Sequence, residues 1–163
     1  MSNLTSIKKI CCHFTRNIAF HQAGIRKSNN AFKINFWIIA NGNFAEIAIL
    51  EFCKLFGSKK DKMMWANIAT NKEDFKKNIE VETELKFSEF EEYVKEVKKY
   101  RDKYLSHFDE EVKLPCLETA QKSVFLYYNY VISLEGEGGF PSNLKDFYIS
   151  CLKEAEENYP KIS

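Results

Sequence analysis

Arg101, Asp102 and His107 place a guanidinium, a carboxylate and an imidazole within seven residues, in the run Tyr100-Arg101-Asp102-Lys103-Tyr104-Leu105-Ser106-His107-Phe108-Asp109. An arginine can grip a phosphate through several N–H donors, and a histidine can give or take a proton near neutral pH. Together they are the residue types needed to grip a phosphate and move a proton. Lys99 and Lys103 lie on the same stretch and could contact the phosphates of a bound strand. Glu91, Lys95, Lys99, Lys103 and His107 are each four residues apart, so on a helix they form one ridge. Like charges at that spacing cost only about 0.2–0.5 kcal/mol per pair. The row is therefore tolerable as a solvated face, and equally as a basic track leading to the histidine.

The elements that must position these groups read as helices. Phe90, Tyr93, Val97, Tyr100 and Tyr104 recur at three and four, one apolar stripe of an amphipathic helix, with Ser88 as N-cap and Glu91 completing a capping box. Asp109-Glu110-Glu111 would oppose the helix dipole at a C-terminus, so the helix should end near Ser106–Phe108 with His107 in its last turn. Six residues of ideal helix turn through about 240°, which aims Arg101 and His107 roughly 120° apart. Either the helix breaks between them or a second copy completes the site across a two-fold axis.

Elsewhere the same periodicity predicts a helix from Leu4 to about Gln22, a connection at Gly24 and Ser28-Asn29-Asn30, and a helix from about Phe32 to Phe56 that is apolar nearly all round. The latter belongs in the centre of a bundle. Glu46, Glu51 and Lys54 within it argue for a core helix rather than a membrane span. Gly57 stands where a helix C-cap is expected, and Met63-Met64-Trp65 should fold back onto the core. A short helix near Asn71–Glu80 would turn Phe75 and Ile79 inward. Leu114-Pro115 interrupts the pattern before a helix over Cys116–Leu134, in which Tyr127, Tyr128 and Tyr130 read as core and interface aromatics. The Gly-rich run Glu135–Pro141 is a loop, and Ser142 or Asn143 can cap a last helix ending before Pro160. No stretch alternates with period two. The expectation is an all-α single domain over residues 1–163, an antiparallel helical bundle of five or six helices.

Composition narrows the function classes. A net charge of +1 gives no global basicity, so nucleic-acid contacts would have to be local. The N-terminus lacks the pattern of a secretory signal, and five cysteines with no C-x-x-C pair suit reduced thiols in a cytoplasmic protein. A zinc site from Cys11, Cys12, His13 and His21 follows no familiar spacing, and His13 and His21 read as structural or surface residues. No metal and no cofactor is expected.

The run from Tyr100 to His107 resembles the signature of HEPN domains, an arginine followed by a polar residue and then a histidine after four to six intervening positions. Its surroundings are similar to the abortive-infection and toxin-like branch of that family. The shared pattern includes the aromatic helix end Glu51-Phe52-Cys53-Lys54-Leu55-Phe56-Gly57, Trp65 and the Phe108-Asp109 that follows the histidine. The likeness extends over roughly Phe36 to Tyr130. It implies a HEPN-like helical bundle acting as a homodimer and cutting RNA without a metal, with a composite site at the dimer interface and 2′,3′-cyclic phosphate ends on the products. In that case His107 would exchange protons with the ribose 2′-OH or the leaving 5′-oxygen. Arg101 would hold the scissile phosphate, and Asp102 would orient one of the two. RNA and a second copy would be the partners, with room for a cognate antitoxin and none for a membrane. The alternative is a non-catalytic HEPN module that binds nucleotide, RNA or a partner protein. Family members regulated by tyrosine modification often carry a tyrosine two residues after the histidine, where this chain has Asp109.

Overall fold

A computed structural model describes residues 3–31, 35–104 and 113–159. Every regular element among them is helical: α1 (Asn3–Ala31), α2 (Asn35–Phe52) with a π-helical turn at Cys53–Gly57, α3 (Trp65–Ile68), α4 (Lys72–Thr83), α5 (Phe87–Tyr104), α6 (Leu117–Glu135) and α7 (Leu144–Asn158). That makes seven α-helices among the described residues, against the five or six expected; the extra one is the four-residue α3.

The organising helix is α1 rather than α2. At 1.5 Å per residue its 29 residues span about 43 Å. Ile7, Cys11, Phe14 and Ile18 enter the main core, while Ala19 and Ala23 enter a second cluster with Cys151, Leu152, Ala155 and Tyr159. One helix thus packs against α2, α6 and α7. The connection expected at Gly24 is absent, and the helix runs through it. A Cβ built on Gly24 would lie 2.2 Å from Asn41 Oδ1 and 2.6 Å from the Tyr159 hydroxyl. The glycine is a point of close approach between helices, not a break.

The expectation that α2 occupies the centre also needs correcting. Ala45, Ala48, Ile49, Glu51 and Phe52 are buried, but Phe36 is 67% exposed and Ile39 62%. Helix α1 lies along α2, and α5 meets α2 and the π-turn that follows it. An all-round apolar sequence does not say which of its faces will be covered. The segment Asn35–Gly57 is long and apolar enough to cross a membrane by length and composition.

The main core is aromatic. Phe52 stacks on Phe56 at 5.0 Å, Phe56 meets Phe90 and Tyr127 edge-on, and Trp65 stacks on Phe75 at 4.8 Å. Such pairs add roughly 0.5–1.5 kcal/mol each beyond the area they bury. The buried tyrosines keep their hydroxyls satisfied: Tyr127 donates to the Met63 carbonyl, Tyr93 to Cys116 and Tyr128 to Pro141. Phe75 and Ile79 of α4 point inward as expected, and so do Phe90, Tyr93, Val97 and Tyr100 of α5. Asn71 and Asn143 cap α4 and α7 by accepting from the backbone N–H of Asp74 and Asp146. The start of α5 differs from the expected capping box. Ser88 lies inside the helix, and Glu89 instead accepts from the Lys86 N–H while Glu80 accepts from Phe87.

Candidate functional site

Helix α5 buries its stripe so firmly that the neighbouring positions have fixed directions. Tyr100 is inside, and Arg101, next along, comes out at the edge against the π-turn that ends α2. That turn buries Cys53, Leu55, Phe56 and Gly57 together while leaving Lys54 exposed. Gly57 lies close to its neighbours there. A Cβ on it would stand 3.3 Å from Cys53 Cβ and 3.5 Å from Lys98 Cγ. Its φ is not positive, so it is no left-handed cap of the kind expected. The close seat brings α5 over Cys53, and Arg101, three residues beyond Lys98, reaches the thiol.

Asp102 holds Arg101. Its Oδ1 accepts from Nε at 2.8 Å and stands 2.7 Å from Nη2. A guanidinium has five N–H donors. Those on Nη1 are not used by Asp102, so the group could still take a phosphate oxygen. Partial burial works against the Arg101 cation, but the bond to Asp102 and the neighbouring Cys53 outweigh it and hold its pKa above the ordinary value. Burial pushes the Cys53 thiol up to about 11, with Arg101 opposing only in part. Cys53 is therefore a protonated packing partner at neutral pH and a poor nucleophile.

On the outer side of α5, Lys95, Lys98, Lys99, Asp102 and Lys103 line a shallow groove of about 320 Å³. Lys95 is drawn to Glu92 at 2.6 Å, which holds its ammonium above the usual range. Asp102 joins the two halves, lining the lysine groove and anchoring the arginine. Arg101 itself is turned from the groove toward the π-turn. The structure thus brings Arg101, Asp102, Lys99 and Lys103 onto one end of α5. His107 and Asp109 lie outside the described residues. Cys53 and Lys98 are the neighbours that sequence reading missed. Only the ridge-and-groove geometry of two packed helices reveals them.

The two remaining histidines have defined partners. His21 Nδ1 meets the Asn41 carbonyl at 3.0 Å, and His13 Nδ1 meets Glu51 Oε1 at 2.7 Å. Cys11 is buried and Cys12 half-buried, and among the described residues no group of three or more potential metal ligands comes together. The chain matches no family model, and comparisons with curated proteins and with solved structures return no match. What fold and site define together is an all-helical protein with an arginine–aspartate pair and a basic groove at the end of one helix.

Proposed function

We propose that this protein is a cytoplasmic, metal-independent endoribonuclease of the HEPN toxin or phage-defence type, working as a homodimer with a composite site. The observation that carries the reading is the arrangement at the end of α5. There, Asp102 lines a four-lysine groove and also holds Arg101, which faces the π-turn, in the last turn before the segment bearing His107. The lysines would follow an RNA backbone, with Lys99 and Lys103 nearest the scissile bond. Arg101 would stabilise the charge that builds on the phosphate. One His107 takes the proton as the 2′-oxygen attacks phosphorus. The P–O5′ bond breaks, and the partner's His107 gives a proton to the departing 5′-oxygen. The product is a 2′,3′-cyclic phosphate and a free 5′-hydroxyl. Exposed Phe36, Ile38 and Ile39 offer apolar surface for self-association.

A specific observation favours the second reading, a non-catalytic HEPN module binding nucleotide, RNA or a partner protein. The Arg101 guanidinium is already engaged by Asp102 and Cys53, which leaves fewer of its donors for a phosphate. Incubating the purified protein with total RNA in excess chelator, beside His107→Ala and Arg101→Ala variants, decides between them. Cyclic-phosphate ends from the wild type alone establish the nuclease. Retention of RNA or nucleotide by a folded protein with no new ends establishes the binding module.

A further inference from the structure

Another cleft lies away from α5. It measures about 480 Å³, within the size range of small-molecule sites, and opens between α1, the end of α2 and the loop from α6 to α7. Lys9, His13 and Arg16 line it from α1, Glu51 from α2, and Phe140 and Phe147 from the loop and α7. Glu51 is buried, with one oxygen 2.7 Å from His13 Nδ1 and the other accepting from Lys54 at 2.8 Å. A carboxylate only accepts, so the Nδ1 proton is fixed there and Nε2 of the half-exposed ring is the nitrogen left to meet a ligand. The Arg16 guanidinium lies 5.7 Å from the centre of the Phe147 ring, a cation–π seat that restrains a long side chain at the rim. Because Lys54 and His13 both answer Glu51, the cleft presents Lys9 and Arg16 as charges with no carboxylate partner among the described residues, over aromatic walls. No catalytic nucleophile accompanies them. Burial pushes the Cys12 thiol up to about 11.

We infer that this cleft is a second site, which binds a small phosphate ester with a flat apolar body. The phosphate meets Lys9 and Arg16 beside the His13 ring, and the body lies against Phe140 and Phe147. The inference stands apart from the ribonuclease reading, since none of these residues belongs to the α5 site.

The test is a titration of the full chain with phenyl phosphate and, separately, inorganic phosphate, followed by NMR of the histidine Cε1–H signals. His13→Gln assigns the His13 signal. Phenyl phosphate is expected to shift His13 saturably and leave buried His21 unmoved. Inorganic phosphate should bind more weakly, for want of the aromatic contact. Arg16→Gln, an exposed substitution checked for retained helicity, should weaken phenyl phosphate about tenfold, the loss of one charge-assisted contact. Three results would each overturn the inference: no saturable shift at His13, equal affinity for the two probes, or unchanged affinity in both Arg16→Gln and Lys9→Gln.

Discussion

Two glycines in neighbouring helices provide an internal comparison. Gly42 in α2 is exposed, and a Cβ built on it meets nothing within 4 Å. Replacing it with alanine should stabilise the protein by about 0.8–1.0 kcal/mol, the difference in helix propensity. Gly24 in α1 gains the same propensity term but faces a different environment. Its Cβ would lie 2.2 Å from Asn41 Oδ1, 2.6 Å from the Tyr159 hydroxyl and 2.7 Å from Asn41 Cγ. Both neighbours are buried, at 5% exposure each, so neither can swing into solvent. Overpacking of this kind costs about 1–3 kcal/mol. For Gly24→Ala the steric cost at its midpoint of about 2 kcal/mol exceeds the propensity gain, leaving a net loss of about 1 kcal/mol. The two variants should therefore move in opposite directions. Urea unfolding at fixed protein concentration, with the slope unchanged, reads both. If Gly24→Ala stabilises as much as Gly42→Ala does, the close approach of α1, α2 and Tyr159 is refuted.

Lys8 is 2% exposed, with its ammonium 2.9 Å from the Gly136 carbonyl and 3.1 Å from the Glu135 carboxylate. Lys8→Met keeps the aliphatic stem but removes these bonds. A loss of about 2 kcal/mol is expected, seen as a Tm lower by about 4–8 °C, and an unchanged Tm would contradict the clamp. His21 is held below its ordinary pKa of 6.5 by burial, which the hydrogen bond it donates to the Asn41 carbonyl offsets only in part. The unfolded chain then protonates first, so this contribution to stability is complete above pH 6.5 and is lost as pH falls through that value toward the folded-state pKa. The unfolding free energy of the wild type should fall more steeply than that of His21→Gln between about pH 7 and pH 5; parallel curves would exclude a neutral buried His21. On the ribonuclease reading, Lys99→Gln and Lys103→Gln should each lower the slope of log affinity against log salt by about 0.7 for single-stranded RNA. A slope that neither change alters places the RNA elsewhere.

Several features were legible in the chain because their causes are local. Phe90, Tyr93, Val97 and Tyr100 recur at helix spacing, and the stripe they make is buried. Pro115 precedes α6, Asn143 caps α7, and the glycines after Glu135 adopt positive φ in the loop. Spacing, a missing N–H, a side-chain acceptor and a glycine without a Cβ each act within a few residues. Gly24 shows where such reading fails. Glycine serves both breaks and close contacts, and only the partner helix decides which. For α2, an apolar surface on every side carries no direction, so the exposure of Phe36 and Ile39 depended on where α1 and α5 came to lie. Arg101 and Asp102 are adjacent in the chain, yet the seat against Cys53 required the π-turn and α5 to meet. His13 and Glu51 are 38 residues apart, and Lys8 and Gly136 are 128 apart. The sequence by itself determined the helices and most of their inward faces, because those follow from local sterics and periodicity. Tertiary structure alone decided which polar groups became neighbours, because pairs so far apart in the chain meet only when the core has packed.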